Sequence, residues 1–593
     1  MNQHISLMLR ERVSKYGNRK VFKFKNKNNR KYESVSWNEL LDLTNKVSKS
    51  LIHLGFGHNN KIGIISSNTP KWAIADLGIL GIRSVVVPFY ATASENNIKY
   101  VVDETKMELL FVGCTEQIKK ASWLLENCKT LKKIVAFEGD IPENDDRFME
   151  WSAFLDLSKN ENLNKKLDQI TSEVASDDLA TIIYTSGTTG EPKGVMLGHD
   201  NFMNAFKIND QRLNIDDTDI SLCFLPLSHV FERTWTLFIL YCGATNVFLE
   251  NPKEVIKELP VVKPTVMCTV PRFFEKTYDG IQQESEKWPS IKKGIFNWSI
   301  SIGHKYIQYL KDAKKIPALL NLKYLVADKL VFQKLRLIFG GKIKVMPCSG
   351  AAMDPKLVKF FHATGTFVNY GYGATETTAT VSCYRSDIYN FDYCGSIMPE
   401  VLVKIGENQE IFVKGKTVFK GYFNKPEETV KVLSKGWYQT GDEGFVVDGE
   451  YLVMTDRIKD LIKTSGGKYV SPQKLELLIG QDKFIEQIVV LGDNRKYITA
   501  LIVPSFGNLK EYSEKLGLDP NNNAMVISNE NIRNLLQQRI DNCQANLTPY
   551  EKVVKFKLLP ETFNINNQTL TNTLKIRRKI ITQQYKELIE KMY

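Results

Sequence analysis

Short runs of β-branched and other apolar residues recur along the chain, with helical stretches between many of them. This alternation constrains the fold more than any other feature. Ile62-Gly63-Ile64-Ile65, Val85-Val86-Val87, Leu109-Leu110-Phe111-Val112, Ile134-Val135-Ala136-Phe137, Val247-Phe248-Leu249 and Val266-Met267-Cys268 are too short for helices. They read as strands covered on both faces. Ahead of them, Ser36-Trp37-Asn38-Glu39 has capping-box form, Leu40, Leu43, Val47, Leu51 and Leu54 follow at helical spacing, and Gly55 offers a stop. The pattern predicts an α/β fold with layered, largely parallel sheets.

With 593 residues, 43% apolar and 25% charged, there is ample material for a large core. Lys and Arg number 79 against 67 Asp and Glu, a net +12 that suits anionic ligands, an anionic membrane or nucleic acid without choosing among them. The nine cysteines form no CxxC pair, which argues against zinc and dithiol chemistry and for free thiols in a reducing cytoplasm. Met1-Asn2-Gln3-His4-Ile5 lacks the basic and apolar regions of a signal peptide. The most apolar stretch, 74–91, is interrupted by Asp76, Arg83 and Pro88, so no spanning helix is expected.

From about 272 to 337 the texture changes: lysines alternate with aromatics around Trp288, Trp298, Tyr306 and Tyr309, predicting a helical insertion. It reads either as an amphipathic surface helix pair or as a face toward lipid or the mouth of an apolar site. After about 401 the pattern is β-rich, and Phe445-Val446-Val447-Asp448-Gly449-Glu450-Tyr451-Leu452-Val453 signals a hairpin with a two-residue turn. Beyond Arg457 a smaller mixed unit follows, with Ser471-Pro472 opening a helix and strands near 488–490 and 498–503.

The strongest chemical signal is Thr181-Ile182-Ile183-Tyr184-Thr185-Ser186-Gly187-Thr188-Thr189-Gly190-Glu191-Pro192-Lys193-Gly194-Val195. An apolar strand runs into small hydroxyl and glycine residues ending in a lysine. Glycines let main-chain N–H groups approach phosphate oxygens, hydroxyls add donors and Lys193 adds charge. It is not a Walker A loop, because Pro192 stands where glycine is needed and Gly194 replaces the Ser/Thr. The string resembles the signature of the AMP-forming acyl-activating superfamily, which includes acyl-CoA synthetases, firefly luciferase and peptide-synthetase adenylation domains.

That resemblance implies roles for later segments, in order. Thr185, Ser186, Gly187, Thr188, Thr189, Gly190 and Lys193 would hold the phosphates of ATP. Cys348-Ser349-Gly350-Ala351-Ala352 is similar to the adenine-pocket segment. Tyr370-Gly371-Tyr372-Gly373-Ala374-Thr375-Glu376-Thr377 is similar to the Tyr-Gly-x-Thr-Glu motif. It implies Tyr372 on adenine beside Gly373, Thr375 at the α-phosphate, and Glu376 on Mg²⁺, a hard cation suited to carboxylate. Trp437-Tyr438-Gln439-Thr440-Gly441-Asp442 places Asp442 at the ribose hydroxyls. In Asp456-Arg457-Ile458-Lys459-Asp460, Arg457 would also reach the ribose and Lys459 would be the hinge. Leu461-Ile462-Lys463-Thr464-Ser465-Gly466-Gly467 resembles the loop that faces coenzyme A, through Ser465, Gly466 and Gly467. Leu570-Thr571-Asn572-Thr573-Leu574-Lys575-Ile576-Arg577-Arg578 resembles the C-terminal motif, with Lys575 as its catalytic lysine. Read singly, Asp442 and Arg457 suit a surface ion pair, Glu376 a helix N-terminus and Lys575 a solvated face or an RNA contact. The ordered set, from about 36 to 580, favours adenylation. It also implies a large N-terminal domain, 1–456, and a small mobile α+β domain, 457–593.

Two segments are similar to long-chain fatty acyl-CoA synthetases in particular: Leu225-Pro226-Leu227-Ser228-His229-Val230-Phe231-Glu232-Arg233 and Val270-Pro271-Arg272-Phe273-Phe274-Glu275-Lys276. The resemblance puts His229 beside the acyl and adenylate sites; read alone it is a structural histidine. Some long-chain members carry a gating tryptophan four residues after this histidine. Here that position is Arg233 and Trp235 follows two later, so no gate is assigned. The implied activity is ligation of a long-chain fatty acid to coenzyme A at the expense of ATP. The alternatives are a fatty acyl-AMP ligase loading a carrier protein and a CoA ligase for another carboxylic acid. Nucleic acid is not an expected partner, since +12 over this length is a weak footprint and no RNA or DNA module is present. The expected location is cytoplasmic, with peripheral membrane association suggested by the lipid-like substrates and the Lys/aromatic insertion.

Overall fold

The computed structural model describes residues 4–185, 192–385, 390–457, 460–564, 567–571 and 575–593. The chain divides into two units. One holds residues up to 406 with 411–440 and 445–453; the other holds 407–410, 441–444 and everything from 454 onward.

The β-branched runs form the centre of an eight-stranded sheet. Leu179–Thr185, Val85–Phe89, Lys61–Ile65, Leu109–Val112, Lys133–Ala136 and Phe148–Glu150 lie side by side and parallel. Lys193–Gly198 and Gly421–Tyr422 complete the other edge antiparallel. Val85, Val86 and Val87 are fully buried, as two covered faces require. The capping box forms as its spacing predicts: Glu39 N–H donates to Ser36 Oγ at 3.3 Å, and Ser36 N–H donates to Glu39 Oε2 at 2.6 Å. The helix Trp37–His53 then buries Leu40, Val47 and Leu51 completely. It crosses the helix Pro70–Leu80 so closely that a Cβ on Gly78 would lie 2.3 Å from Val47 Cγ1, so only glycine fits there.

A second sheet sets Ile220–Cys223, Thr245–Phe248 and Lys20–Lys25 parallel, with Tyr32–Ser36 antiparallel at its edge. The expected strand at 266–268 does not form. Val266 and Thr269 make only isolated bridges. Beside them the Thr265 hydroxyl takes the Ile220 N–H at 2.9 Å, a ladder bond that main-chain carbonyl would otherwise accept. In the β-rich part the expected turn is present, with positive φ at Asp448 (51°) and Gly449 (70°), as a two-residue hairpin needs.

The insertion is helical: Pro271–Glu286, Ser290–Lys311, and Ala318–Ala327 continuing through a wider π turn, Asp328–Phe332, into Gln333–Leu337. Phe274, Phe296, Ile302 and Phe332 from these helices share one core with Cys348, Met353 and Phe361. No helix among the described residues is long and apolar enough to cross a membrane.

In the second unit Ile498–Pro504 pairs antiparallel with Ile485–Leu491 and parallel with Val553–Leu558. Separate apolar clusters form around alternate residues of these strands, Val490 and Ile502 in one, Val489 and Leu501 in the other. The helix Pro472–Gly480 opens as predicted, with the Lys474 N–H donating to Ser471 Oγ at 3.1 Å. The protein is therefore an α/β fold with a large and a small unit; its eight- and four-stranded sheets are parallel at their centres, whereas the nine-stranded sheet is largely antiparallel.

Candidate active site

The strands Leu179–Thr185 and Lys193–Gly198 bring Thr185 and Lys193 opposite one another in register. Ser186, Gly187, Thr188, Thr189 and Gly190 lie outside the described residues. The Lys193 ammonium sits 2.5 Å from Glu428 Oε2 and 5.1 Å from the centre of the Tyr422 ring. Tyr422 arrives on the short strand Gly421–Tyr422, which pairs with Val195 and Met196, and its hydroxyl donates to Glu376 Oε1 at 2.9 Å. Lys193 and Glu376, which lie far apart in sequence, thus meet around one tyrosine. Burial, with Glu376 beside it, pushes the Tyr422 hydroxyl well up, so it remains a donor. Lys193 and Lys431 hold Glu428 down to about 2.

Main-chain geometry fixes Glu376. It lies in the 3₁₀ turn Thr375–Thr377, where the Ala374 N–H donates to Thr377 Oγ1 at 2.9 Å. Thr378 and Ala379 then take positive φ, 51° and 57°, reversing the chain. The Glu376 carbonyl accepts from Phe419 N–H at 2.8 Å and Thr378 Oγ1 donates to the Thr417 carbonyl at 2.7 Å. The reversal passes so close to Gly373 that a Cβ there would lie 2.5 Å from the Ala379 carbonyl carbon. Tyr372 ends the strand Asn369–Tyr372 and is buried, as is Thr375. The neighbouring parallel strand Pro347–Cys348 leads into Gly350, Ala351 and Ala352, which are exposed. The Tyr370 hydroxyl reaches the Ala351 carbonyl at 3.4 Å.

His229 caps the helix Val230–Cys242, its Nδ1 accepting from Phe231 N–H at 3.2 Å. Two charged residues of that helix are fully buried. Arg233 forks onto Asp76, with Nε to Oδ2 at 3.0 Å and Nη2 to Oδ1 at 2.5 Å, and donates from Nη1 to Thr181 Oγ1 at 2.6 Å. The position where a gate could have stood is therefore an anchor for the strand Leu179–Thr185. Glu232 accepts from Leu225 N–H at 3.0 Å and from Cys268 Sγ at 3.3 Å, and burial pushes its carboxyl up to about 7. Phe231, Trp235 and Phe238 line a narrow cavity of about 40 Å³ together with Ser349, Gly371 and Tyr372. The helix after His229 and the two segments assigned to adenine thus share one void.

Within the second unit, Arg457 Nε lies 3.1 Å from Asp442 Oδ1, so the two residues assigned to the ribose meet one another. Lys459 lies outside the described residues. Ser465, Gly466 and Gly467 form the tip between the short strands Ile462–Lys463 and Tyr469–Val470, where Gly467 has φ 75°. The main chain of Lys575 is fastened to Thr571: the Lys575 N–H donates to Thr571 Oγ1 at 3.0 Å and its carbonyl accepts from Thr571 N–H at 2.8 Å. Arg578, three residues on, donates to Glu476 at 2.6 Å and to the Val490 carbonyl at 2.9 Å, fixing the segment that carries the lysine. Sequence reasoning missed Tyr422, Glu428, Glu232 and Glu476. Glu232 sits inside a string already singled out, where nothing marked it; the other three belong to no such string and gain their contacts through distant partners.

Residues 9–423 match the AMP-binding enzyme family, and residues 459–593 match the AMP-binding enzyme C-terminal domain. The long-chain-fatty-acid–CoA ligase FadD15 of Mycobacterium bovis is 30% identical over 92% of this chain and 89% of its own length. Human long-chain-fatty-acid–CoA ligase 1 is 29% identical over 95% of this chain and 82% of its own. Among solved structures, the anthranilate CoA ligase AuaEII in complex with anthranoyl-AMP superposes with a TM-score of 0.72 at 16% identity, covering all of both chains. A Mycobacterium tuberculosis fatty acyl CoA synthetase gives 0.59 at 17% identity, covering 98% of each. The chain belongs to the AMP-binding enzyme family.

Proposed function

We propose that the protein is a long-chain fatty acid:CoA ligase. The observation that carries this reading is its likeness, from end to end, to long-chain-fatty-acid–CoA ligases. A fatty carboxylate is a poor acyl donor because its leaving group would be oxide. In the first step it attacks the α-phosphorus of ATP, giving acyl-AMP and pyrophosphate. In the second the thiol of coenzyme A attacks the acyl carbonyl and releases AMP. Negative charge builds around phosphorus in the first step, so positioning and nearby cations dominate catalysis.

Lys193, Thr185 and the loop 186–190 hold the phosphates in this reading. Lys193 exchanges its contact with Glu428 for phosphate oxygens. Glu376 presents a hard oxygen donor, and no group of three or more His, Cys, Asp or Glu suited to a metal occurs among the described residues. A Mg²⁺ arriving with ATP would be held by Glu376, and such an ion usually keeps phosphate oxygens and water as its other ligands. When bound, it neutralises phosphate charge. Tyr422 orients the Glu376 carboxylate. Tyr372 and the segment 350–352 accommodate adenine, and Asp442 and Arg457 take the ribose hydroxyls. His229 borders the acyl and adenylate sites. Lys575 neutralises the α-phosphate and carboxylate oxygens in the first step. The Ser465–Gly466–Gly467 tip serves coenzyme A in the second, with Lys459 as the hinge between the two roles.

A long acyl chain suits an apolar site, since each buried CH₂ contributes roughly 0.8 kcal/mol. Mass analysis of the product formed from MgATP and a long-chain fatty acid, with and without coenzyme A, tests the reading. Acyl-CoA and AMP are expected. Acyl-AMP that accumulates despite coenzyme A would make the protein a ligase that loads a carrier.

A further inference from the structure

The continuous helical run from Ala318 to Leu337 has two opposed faces. Ala327, Phe332 and Leu335 are buried, and Phe332 and Leu335 belong to the core that also holds Cys348 and Met353. On the other side Leu319, Leu322, Val326, Leu330 and Leu337 follow one another at spacings of three, four, four and seven residues, which aligns them along one stripe. All are exposed, and Leu319, Leu322 and Leu337 are 64%, 59% and 58% exposed, with Leu325 beside them at 57%. Elsewhere in the molecule exposed large apolar residues are scattered, whereas this face concentrates them. The preceding helix Ser290–Lys311 adds Ile291, 81% exposed, together with Ile295 and Trp298. It is joined to the stripe's helix by the stacked rings of Tyr306 and Tyr324, 3.9 Å apart.

Charge distinguishes the occupant. Across 290–337 there are ten lysines and arginines against two aspartates. Both aspartates are already paired, Asp328 with Arg336 at 2.6 Å and Asp312 with Lys314 at 3.1 Å. Lys323, Lys329 and Lys334 flank the leucines, are exposed, and have no carboxylate partner among the described residues. An apolar stripe edged by unpaired lysines, on helices that cannot cross a membrane, matches a helix lying flat in the interface of an anionic bilayer. A second copy of the same face would bring lysine against lysine.

We propose that the helix pair 290–337 docks the protein on the surface of an anionic lipid bilayer. The exposed leucines enter the acyl region and Lys323, Lys329 and Lys334 meet the headgroup phosphates. The inner face of the same helix packs on the core beside the candidate site, so docking holds that side of the molecule against the phase in which long-chain acids concentrate. The docking does not depend on the ligase reading, because vesicle binding is read without ATP or coenzyme A.

The test is co-sedimentation of the full chain with vesicles of phosphatidylcholine alone and with phosphatidylglycerol added, alongside sedimentation velocity without lipid. Binding is expected only to the anionic vesicles and should weaken as salt shortens the screening length from about 10 Å to about 3 Å. Leu322→Glu with Val326→Glu, and separately Lys323→Glu with Lys329→Glu, should each cut binding by about tenfold or more, at one order of magnitude per 1.4 kcal/mol. Both pairs of changes are on the surface and should leave the urea unfolding midpoint unchanged, which reports the fold. Absence of binding, equal binding to both vesicle types, or variants that bind like the parent would overturn the proposal. So would a parent dimer that the leucine changes dissociate, which would assign the face to self-association.

Discussion

Two of this protein's arginine–aspartate pairs differ sharply in what surrounds them. Arg233 and Asp76 are both sealed from solvent, joined by a two-bond fork, and the third donor is spent on Thr181. Arg457 and Asp442 meet at 3.1 Å, with the aspartate buried but the arginine side chain 38% exposed. In the first pair, removing either partner strands a buried charge. In the second, only the carboxylate is buried, and the guanidinium is open to exchange with water. The difference separates a scaffold from an exchangeable contact: the first pair fixes the strand Leu179–Thr185, and the second, in the proposed reading, gives way to the ribose hydroxyls.

The sharpest break of that comparison is Arg233→Met. Stranding Asp76 should lower the unfolding free energy by about 3–5 kcal/mol, measured by urea titration. Adding Asp76→Leu should recover part of the loss. A single variant as stable as the parent would remove the scaffold role. Next is Lys575→Ala. Acyl-adenylate formation should fall by about 10²–10³-fold, the loss typical of a group that stabilises transition-state charge. Thioester formation from supplied acyl-AMP should fall far less, and equal losses in the two half-reactions would contradict the assignment.

A smaller effect is expected for Asp442→Ala. It should raise KM for ATP by about tenfold, as one charge-assisted hydrogen bond is worth ~1.5–3 kcal/mol. Its stability should fall by about 1–3 kcal/mol, less than for Arg233→Met, because only one partner of this pair is buried. A large loss of stability with unchanged KM would turn this pair, too, into scaffold. Smallest is Tyr422→Phe, which removes one hydrogen bond to Glu376. A cost of about 1 kcal/mol should raise KM for MgATP several-fold without affecting unfolding. An unchanged KM would show that Glu376 needs no such support.

Much of the fold was legible because its signals are local. The capping box at Ser36, the Asp448-Gly449 turn and the isolated valine run at 85–87 each specify their element within a few residues. The helical insertion was equally plain from spacing. The segment 266–268 was misjudged because strand formation depends on a partner, and Thr265 uses its side chain where a ladder carbonyl was expected. The same distinction governs the site. Thr185, Lys193, Glu376, Asp442 and Lys575 stand in strings that carry their own meaning. Tyr422 does not, since Gly421-Tyr422-Phe423 is unremarkable until the strand pairs with Val195 and delivers the hydroxyl to Glu376. Arg233 was noticed as the absence of a tryptophan. Its purpose depends on Asp76, more than a hundred and fifty residues earlier.

The most direct test of the account is pyrophosphate release from MgATP by the full chain, followed across a series of saturated fatty acids from short to long. The account predicts release that depends on the acid, rises with chain length as each added CH₂ contributes roughly 0.8 kcal/mol of burial until the site is filled, and yields acyl-CoA when coenzyme A is present. Release that is indifferent to chain length, or confined to short or aromatic acids, from folded protein that binds ATP, would contradict it.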